Sequence, residues 1–276
     1  MTREEVLASC LKIFEDEADY VKCLNLLSTS DHFFARDLEG WIHSLLFDFA
    51  KAKLCYDVGL RLADEQLFTG HVGLTIMDIP RYVFLHTQIF ESALMEKHPD
   101  PATRFVEIKF KDDSPNFWKR LNDKNAESFG HSFANAINRY LEACLLLHLG
   151  YPSLSLAKYN EVLPVASANV FTSQLGKIYF GKALACYNLG NRVEEFEKSL
   201  EDAVMAVHTT RGISRQMSRA ARFYAIFSFL GRKKEAQEWR EFLVSFKCPD
   251  LTKEIYLKLS QRILARCNQL DRAVFF

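Results

Sequence analysis

Histidine and cysteine, the side chains that most often bind metals or act as nucleophiles, are scattered through this chain of 276 residues. The eight histidines form no H-E-x-x-H pair and no pair at metal-ligand spacing on a helix, and the seven cysteines form no C-x-x-C pair. Glycine-rich loops of the phosphate-binding kinds are also absent from the sequence. A cysteine–histidine site could still assemble in three dimensions, but no local pattern indicates one. We therefore expect a protein that is not an enzyme, with no catalytic residue, metal ligand or cofactor.

One group of charged side chains has the spacing of a binding surface. Four arginines recur at intervals of four, four and three residues, which places them along one face of a helix. They are Arg211, Arg215, Arg219 and Arg222, and three cations follow on the next predicted helix, namely Arg232, Lys233 and Lys234. Two interpretations remain open. The arginines form either a solvated basic face, paired with the acidic residues of 194–202, or a site for an acidic peptide, a terminal carboxylate or a phosphate backbone.

Charge is balanced over the whole chain but not along it. Residues 1–65 carry 13 acidic and 7 basic side chains, whereas residues 204–247 carry 9 basic and 3 acidic ones. This dipolar distribution argues against general coating of nucleic acid, although it leaves one local basic surface to explain.

The cysteines and the first residues of the chain bear on its location. An odd number of cysteines without paired spacing is typical of free thiols in apolar helices, so we expect them to be reduced and the protein to be intracellular. The N-terminal sequence lacks the basic and apolar regions of a signal peptide. No apolar run approaches the ~20 residues that would cross a membrane. We expect a cytoplasmic protein without membrane contact, with the nucleus as the alternative compartment.

Apolar residues at helical spacing predict an all-α fold. In the C-terminal half they indicate successive helix pairs, 132–149 with 152–163, 170–189 with 192–208, and 213–230 with 232–246, before a last helix at 252–269. The first helix of each pair ends at a Leu-Gly dipeptide, and the three glycines are Gly150, Gly190 and Gly231, 40 and 41 residues apart. We predict that these glycines are structural turn residues, because a tight turn between helices requires a left-handed residue.

Residues 98–126 interrupt the helical pattern. Val106, Ile108 and Phe110 alternate with charged residues, which is the period of a strand. This part is either an irregular surface insertion or an edge strand that pairs with a partner or with residues near 71–77. We accordingly divide the chain into an N-terminal helical repeat segment (1–97), an insertion or linker (98–131) and a C-terminal helical repeat segment (132–276). We expect the two helical segments to form one continuous domain.

Several stretches of the chain carry a family resemblance, among them the two that follow. "ALACYNLGNRVEEFEKSLEDA" (183–203) has Ala183 and Gly190, and "FYAIFSFLGRKKEAQEWREFL" (223–243) has Gly231 and Ala236, at positions that resemble the tetratricopeptide repeat. The period of 40–41 residues is longer than the 34 that are standard for that family. The resemblance implies a right-handed α-solenoid of stacked antiparallel helix pairs with a concave groove. It also implies that Lys177 and Arg222 lie near groove-facing positions.

These observations favour a non-catalytic function. We expect a scaffold or adaptor that binds a partner subunit or peptide, acidic or apolar, in its groove, and that belongs to a larger complex. One alternative is RNA binding through the basic helices of 211–240, which would give an affinity that falls steeply with salt. A second is a subunit of an assembly that resembles the proteasome lid or the signalosome. That alternative ranks lower, because too few residues follow Asp250 for the winged-helix module that ends such subunits.

Overall fold

A computed structural model describes residues 3–68, 139–140, 142–144, 146–168 and 172–274. All regular secondary structure in these ranges is helical, which confirms the predicted all-α class for this part of the chain. The predicted insertion at 98–126 and both predicted domain boundaries lie outside the described residues. Among the helices that the structure describes, none combines the length and the apolar character needed to traverse a lipid bilayer.

Ten α-helices and one π-helical turn have defined bounds in the described ranges. In the N-terminal part they are α1 (Arg3–Lys12), the π-helical turn Ile13–Glu17, α2 (Tyr20–Leu27), α3 (Phe33–Leu45) and α4 (Phe49–Phe68). In the C-terminal part, helical residues up to Leu149 precede α5 (Pro152–Ala168), α6 (Thr172–Leu189), α7 (Val193–His208), α8 (Ile213–Phe229), α9 (Lys233–Ser245) and α10 (Asp250–Leu270). The helix pairs expected from the sequence therefore match the observed helices within a few residues at most ends.

The chain divides into two compact units. The first consists of Met1–Leu7 with Leu24–Leu141, and the second of Ala8–Cys23 with Glu142–Phe276. The second unit thus contains a short N-terminal segment together with the C-terminal half of the chain, a grouping that the linear division of the sequence did not anticipate.

In the first unit, α3 packs against α4. Ala35, Leu38, Ile42 and Leu45 are buried at helical spacing along one side of α3, so this side forms the contact with α4. Gly40 lies on the same helix, and a Cβ atom at this position would meet the ring of the buried Tyr56 on α4. The glycine therefore allows the two helices to approach closely around an aromatic side chain.

In the second unit, α6 is the central helix of one group and α8 of another. Helix α6 packs against both α5 and α7, and α8 packs against α9, α10 and the π-helical turn. Because α6 has neighbours on two sides, its buried residues include four in succession, Ala183 to Cys186. Gly181 on α6 lies against the buried Tyr159 of α5, where a Cβ atom would collide with the phenol ring.

The three Leu-Gly dipeptides form the turns between consecutive helices. Gly150, Gly190 and Gly231 have φ angles of 89°, 72° and 71°, in the region that favours glycine. At two of these turns, the backbone N–H of the residue after the glycine donates a hydrogen bond to the carbonyl oxygen five residues earlier. Tyr151 N–H donates to Leu146 O (2.8 Å), and Arg232 N–H donates to Phe227 O (2.9 Å). This is the Schellman arrangement that satisfies the last carbonyls of a helix.

Candidate functional site

Three of the four arginines predicted to form a basic stripe, Arg215, Arg219 and Arg222, lie on α8, but Arg211 does not, because α8 begins at Ile213. The N-terminal end of α8 faces the π-helical turn. Arg215 forms an ion pair with Glu15 of that turn (2.7 Å), and Gly212 packs directly against the same carboxylate. Burial raises the pKa of Glu15, while the charge and hydrogen bond of Arg215 act in the opposite direction. The sequence did not anticipate this partner, because Glu15 is 200 residues away along the chain.

Two further arginines of the stripe are held by groups of the same unit. Arg219 is buried, and its Nη1 donates to Ala206 O (2.9 Å) and to the Thr210 hydroxyl. Arg222 is half-buried, and its Nη1 donates to the carbonyl (2.9 Å) and the hydroxyl (2.5 Å) of Ser218, one turn earlier on α8. The contacts of Arg219 join α8 to the end of α7, whereas these contacts of Arg222 stay within α8.

Arg232, which precedes α9, pairs with an acidic residue of α7. Its guanidinium pairs with Glu197 of α7 in a bidentate arrangement and lies over the rings of Phe196 and Phe227, 5.6 and 5.9 Å from their centroids. Pairing between the basic residues and the acidic stretch 194–202 is one of the two interpretations drawn from the sequence, and this contact realises it at one position.

The remaining cations of the predicted site are more accessible. Arg211, Lys233 and Lys234 are exposed, and Lys234 lies 4.0 Å from Glu238 on the same helix. Lys177 is half-buried on α6. The structure therefore engages Arg215, Arg219 and Arg222 of α8 in contacts with other protein groups. It leaves Arg211, before α8, and Lys233 and Lys234, at the start of α9, exposed.

An open polar depression lies between α6 and α7, in a place that the sequence did not single out. Its volume is about 390 Å³, and it is lined by Tyr179, Lys182, Glu194, Glu195, Lys198, Ser199 and Asp202. Lys182 pairs with Glu195 (3.0 Å), and Arg192 pairs with the same carboxylate (3.0 Å). These hydrogen bonds, first that of Lys182, lower the pKa of Glu195. In the sequence, the adjacent acidic residues Glu194 and Glu195 are the only indication of this site, and their pattern is also typical of a solvent-exposed helix face.

Exposed apolar side chains gather near the turns at the same end of these helices. Leu149 and Tyr151 flank one turn, and Tyr187 and Val193 flank the next. The two turns lie close together, because the consecutive residues Arg272 and Ala273 form hydrogen bonds with one turn each. Arg272 donates to His148 O (2.5 Å), and the side-chain amide of Asn188 both donates to Ala273 O (2.6 Å) and accepts from Ala273 N–H (2.9 Å).

The residues that follow α10 pack on the fold. Ala273 and Val274 are fully buried, so this part of the segment packs against the second unit. Phe275 and Phe276 lie outside the described residues.

The cysteines have the properties of buried apolar side chains. All seven are free, and six are buried, with Cys248 half-buried. Burial raises the thiol pKa of Cys23 to about 12 and that of Cys186 to about 11, so the reactive thiolate is disfavoured at these positions.

Neither a protein-family model, nor a curated protein, nor a solved structure matches this chain.

Proposed function

We propose that the protein is a non-catalytic scaffold that binds an extended segment of a partner polypeptide across α6 and α7. Its helix pairs would stack in the manner of tetratricopeptide repeats, and the segment would lie over the depression between these two helices. The observation that carries the proposal is this depression, because it is open and polar and exposed apolar side chains occupy the adjacent turns. Partner-binding surfaces commonly combine apolar contacts with polar groups that fix orientation.

The charges in the depression indicate the chemistry of the segment. Lys182 already neutralises Glu195, which leaves one ammonium group at Lys198 and two carboxylates at Glu194 and Asp202. A polypeptide with a basic side chain at this point would complement the two carboxylates, while Lys198 and the Tyr179 hydroxyl could meet backbone groups.

RNA binding is the weaker candidate on the same observations. The carboxylates of the depression would repel a phosphate backbone. Arg215, Arg219 and Arg232, among the cations of the predicted basic site, already contact protein groups. Arg211, Lys233 and Lys234 are the cations of the predicted site that would have to carry such binding.

The experiment is site-specific photocrosslinking of the full-length chain in an extract of its source cells. A benzoylphenylalanine at Tyr179 probes the depression, and one at Gln261, which is exposed on α10, is the positional control. We expect one protein to crosslink from position 179 and not from 261. The crosslink should be lost in Glu194→Lys/Asp202→Lys and kept in Glu238→Lys/Glu241→Lys, which makes the same charge change on the exposed face of α9.

Other outcomes would contradict the proposal. Crosslinking that is equal from the two positions, or unchanged by the reversal at Glu194 and Asp202, would mean that the depression is not the binding surface. Recovery of RNA instead of protein, with binding that falls steeply with salt, would favour the second candidate.

A further inference from the structure

Three side chains of the first unit bring a carboxylate, an imidazole and a thiol together. Glu39 and His43 lie on α3 and Cys55 lies on α4, and one potential ligand atom from each is within 4.8 Å of the other two. Glu39 and His43 are four residues apart, so they share a face of α3. The packing of α3 against α4 then adds the cysteine, which is why inspection of local spacing along the sequence did not find the group.

The group is largely shielded from water. The side chains of Glu39 and His43 are 15% and 14% exposed, and Cys55 is buried. His43 Nδ1 is buried without a hydrogen-bond partner, and Asp48 Oδ2 lies 4.0 Å from it. A buried imidazole nitrogen without a partner is unfavourable unless another group satisfies it.

The surroundings hold the carboxylates in place. Arg36 pairs with Oε2 of Glu39 and also donates to the carbonyls of Leu27 (3.0 Å) and Ser30 (2.5 Å). Those carbonyls anchor the guanidinium beside one oxygen of Glu39. Lys51 pairs with Asp48 (2.9 Å), which leaves the Asp48 carboxylate beside the His43 ring.

The protonation states suit a cation that binds in this position. Burial lowers the pKa of His43 and so favours the neutral imidazole, the form that binds metals. Burial also raises the pKa of the Cys55 thiol to about 12 when no cation is present. A divalent cation would reverse the second effect, because coordination replaces the thiol proton, which is released to the solvent.

We propose that Glu39, His43 and Cys55 bind one Zn²⁺ ion that ties α3 to α4. One oxygen, one nitrogen and one sulfur are the donors that zinc accepts, and three protein ligands leave a fourth position for water. Zinc bonds of about 2.0–2.3 Å require the ligand atoms to move closer together by roughly 1 Å, a change that side-chain rotation supplies.

Co²⁺ is the probe, because its thiolate complexes give a near-ultraviolet charge-transfer band and visible bands of tetrahedral type. The full-length protein is reduced, freed of metals with a chelator and titrated. We expect the bands to saturate at one equivalent and Zn²⁺ to abolish them. They should be lost in Cys55→Ser and in His43→Ala. Cys186→Ser, at a buried cysteine of the second unit, is the matched control and should keep them.

Several results would overturn the proposal. These are the absence of a charge-transfer band, a band that persists in Cys55→Ser, or Zn²⁺ binding that His43→Ala leaves unchanged. If the variants do not fold, as circular dichroism would reveal, X-ray absorption of the zinc-loaded wild-type protein decides. One sulfur at about 2.3 Å together with nitrogen and oxygen ligands supports the site, and any other sulfur count contradicts it.

Discussion

The hydroxyl oxygens of Tyr20 and Tyr256 lie 2.6 Å apart, although 236 positions separate the two residues in the chain. Both tyrosines also contact Ser214, since Tyr20 donates to its hydroxyl (3.0 Å) and Tyr256 donates to its carbonyl (2.9 Å). The Ser214 hydroxyl in turn donates to Phe14 O (2.5 Å). This buried network joins the segment before Cys23 to α8 and α10, and it explains why that segment belongs to the second unit.

Removing one hydroxyl from this network should destabilise the second unit. Tyr256→Phe leaves the Ser214 carbonyl and the Tyr20 hydroxyl with one partner fewer in a buried place, so we expect a loss of about 1–3 kcal/mol in the free energy of unfolding. Urea denaturation followed by circular dichroism measures it. Tyr187→Phe, at a partly exposed tyrosine, is the control and should change stability by less than about 0.5 kcal/mol. Equal effects of the two substitutions would contradict the assigned role of the network.

The arginines of the predicted basic stripe should separate into structural and accessible ones. Arg219→Ala removes a buried guanidinium that donates to Ala206 O and Thr210, so we expect a loss of about 2–4 kcal/mol. Arg211→Ala, at an exposed position, should stay within about 0.5 kcal/mol of the wild type. Thermal unfolding of both variants provides the comparison. A similar melting temperature for the two would show that burial of Arg219 contributes little to stability.

The buried carboxyl group of Asp37 should make the free energy of unfolding depend on pH. It is buried on α3, its Oδ1 has no hydrogen-bond partner among the described residues, and burial raises its pKa from 3.8 to about 7. Because the folded state binds this proton more tightly than the unfolded state, the stabilising contribution is complete below about pH 3.8. It is lost as the pH rises to about 7.

Asp37→Asn should therefore be more stable than the wild type near pH 8, by as much as about 4 kcal/mol, and the difference should shrink toward pH 4. Chemical denaturation at a series of pH values gives this difference. His43 and His148 have lowered pKa values and act in the opposite direction, but they are present in both proteins and cancel. The control is Asp250→Asn, at a highly exposed carboxylate on α10. If the free energies of unfolding of the wild type and Asp37→Asn changed in parallel with pH, the prediction would be wrong.

The Asn188 side chain should control the mobility of the segment after α10. Asn188→Ala removes both hydrogen bonds to the backbone of Ala273, so we expect the amide protons of 272–274 to exchange about 10-fold faster. Hydrogen exchange read by mass spectrometry measures the change. Asn191→Ala, at an exposed residue of the same turn, should leave exchange at 272–274 unaltered. Unchanged exchange in Asn188→Ala would mean that packing of Val274 alone fixes the segment.

Local features were the part of the fold that the sequence predicted well. Helix ends at Leu189 and near Leu230 follow from Leu-Gly dipeptides, because the left-handed conformation of a glycine depends on its immediate neighbours. The spacing of the four arginines correctly placed Arg215, Arg219 and Arg222 on one helix, whereas Arg211 lies before that helix begins at Ile213. It could not say what that helix would contact, since periodicity defines a face without naming its neighbour.

The groups that could do chemistry were harder to foresee for the same reason. Glu39 and Cys55 are 16 positions apart on different helices, and Lys182 and Glu195 lie on opposite sides of a turn. No spacing rule for a single helix includes either pair. Interpretation of the basic stripe as accessible or internal likewise depended on Glu15 and Ala206, which only packing brings to α8.

The sequence by itself determined the helical class and the positions of the turns, because each depends on residues close together in the chain. Tertiary structure decided which arginines are internal, which carboxylates face the α6–α7 depression, and which three ligand types converge between α3 and α4. These properties depend on contacts between helices. The free energy of such contacts comes from burial and hydrogen bonding across distant segments, which no local pattern encodes.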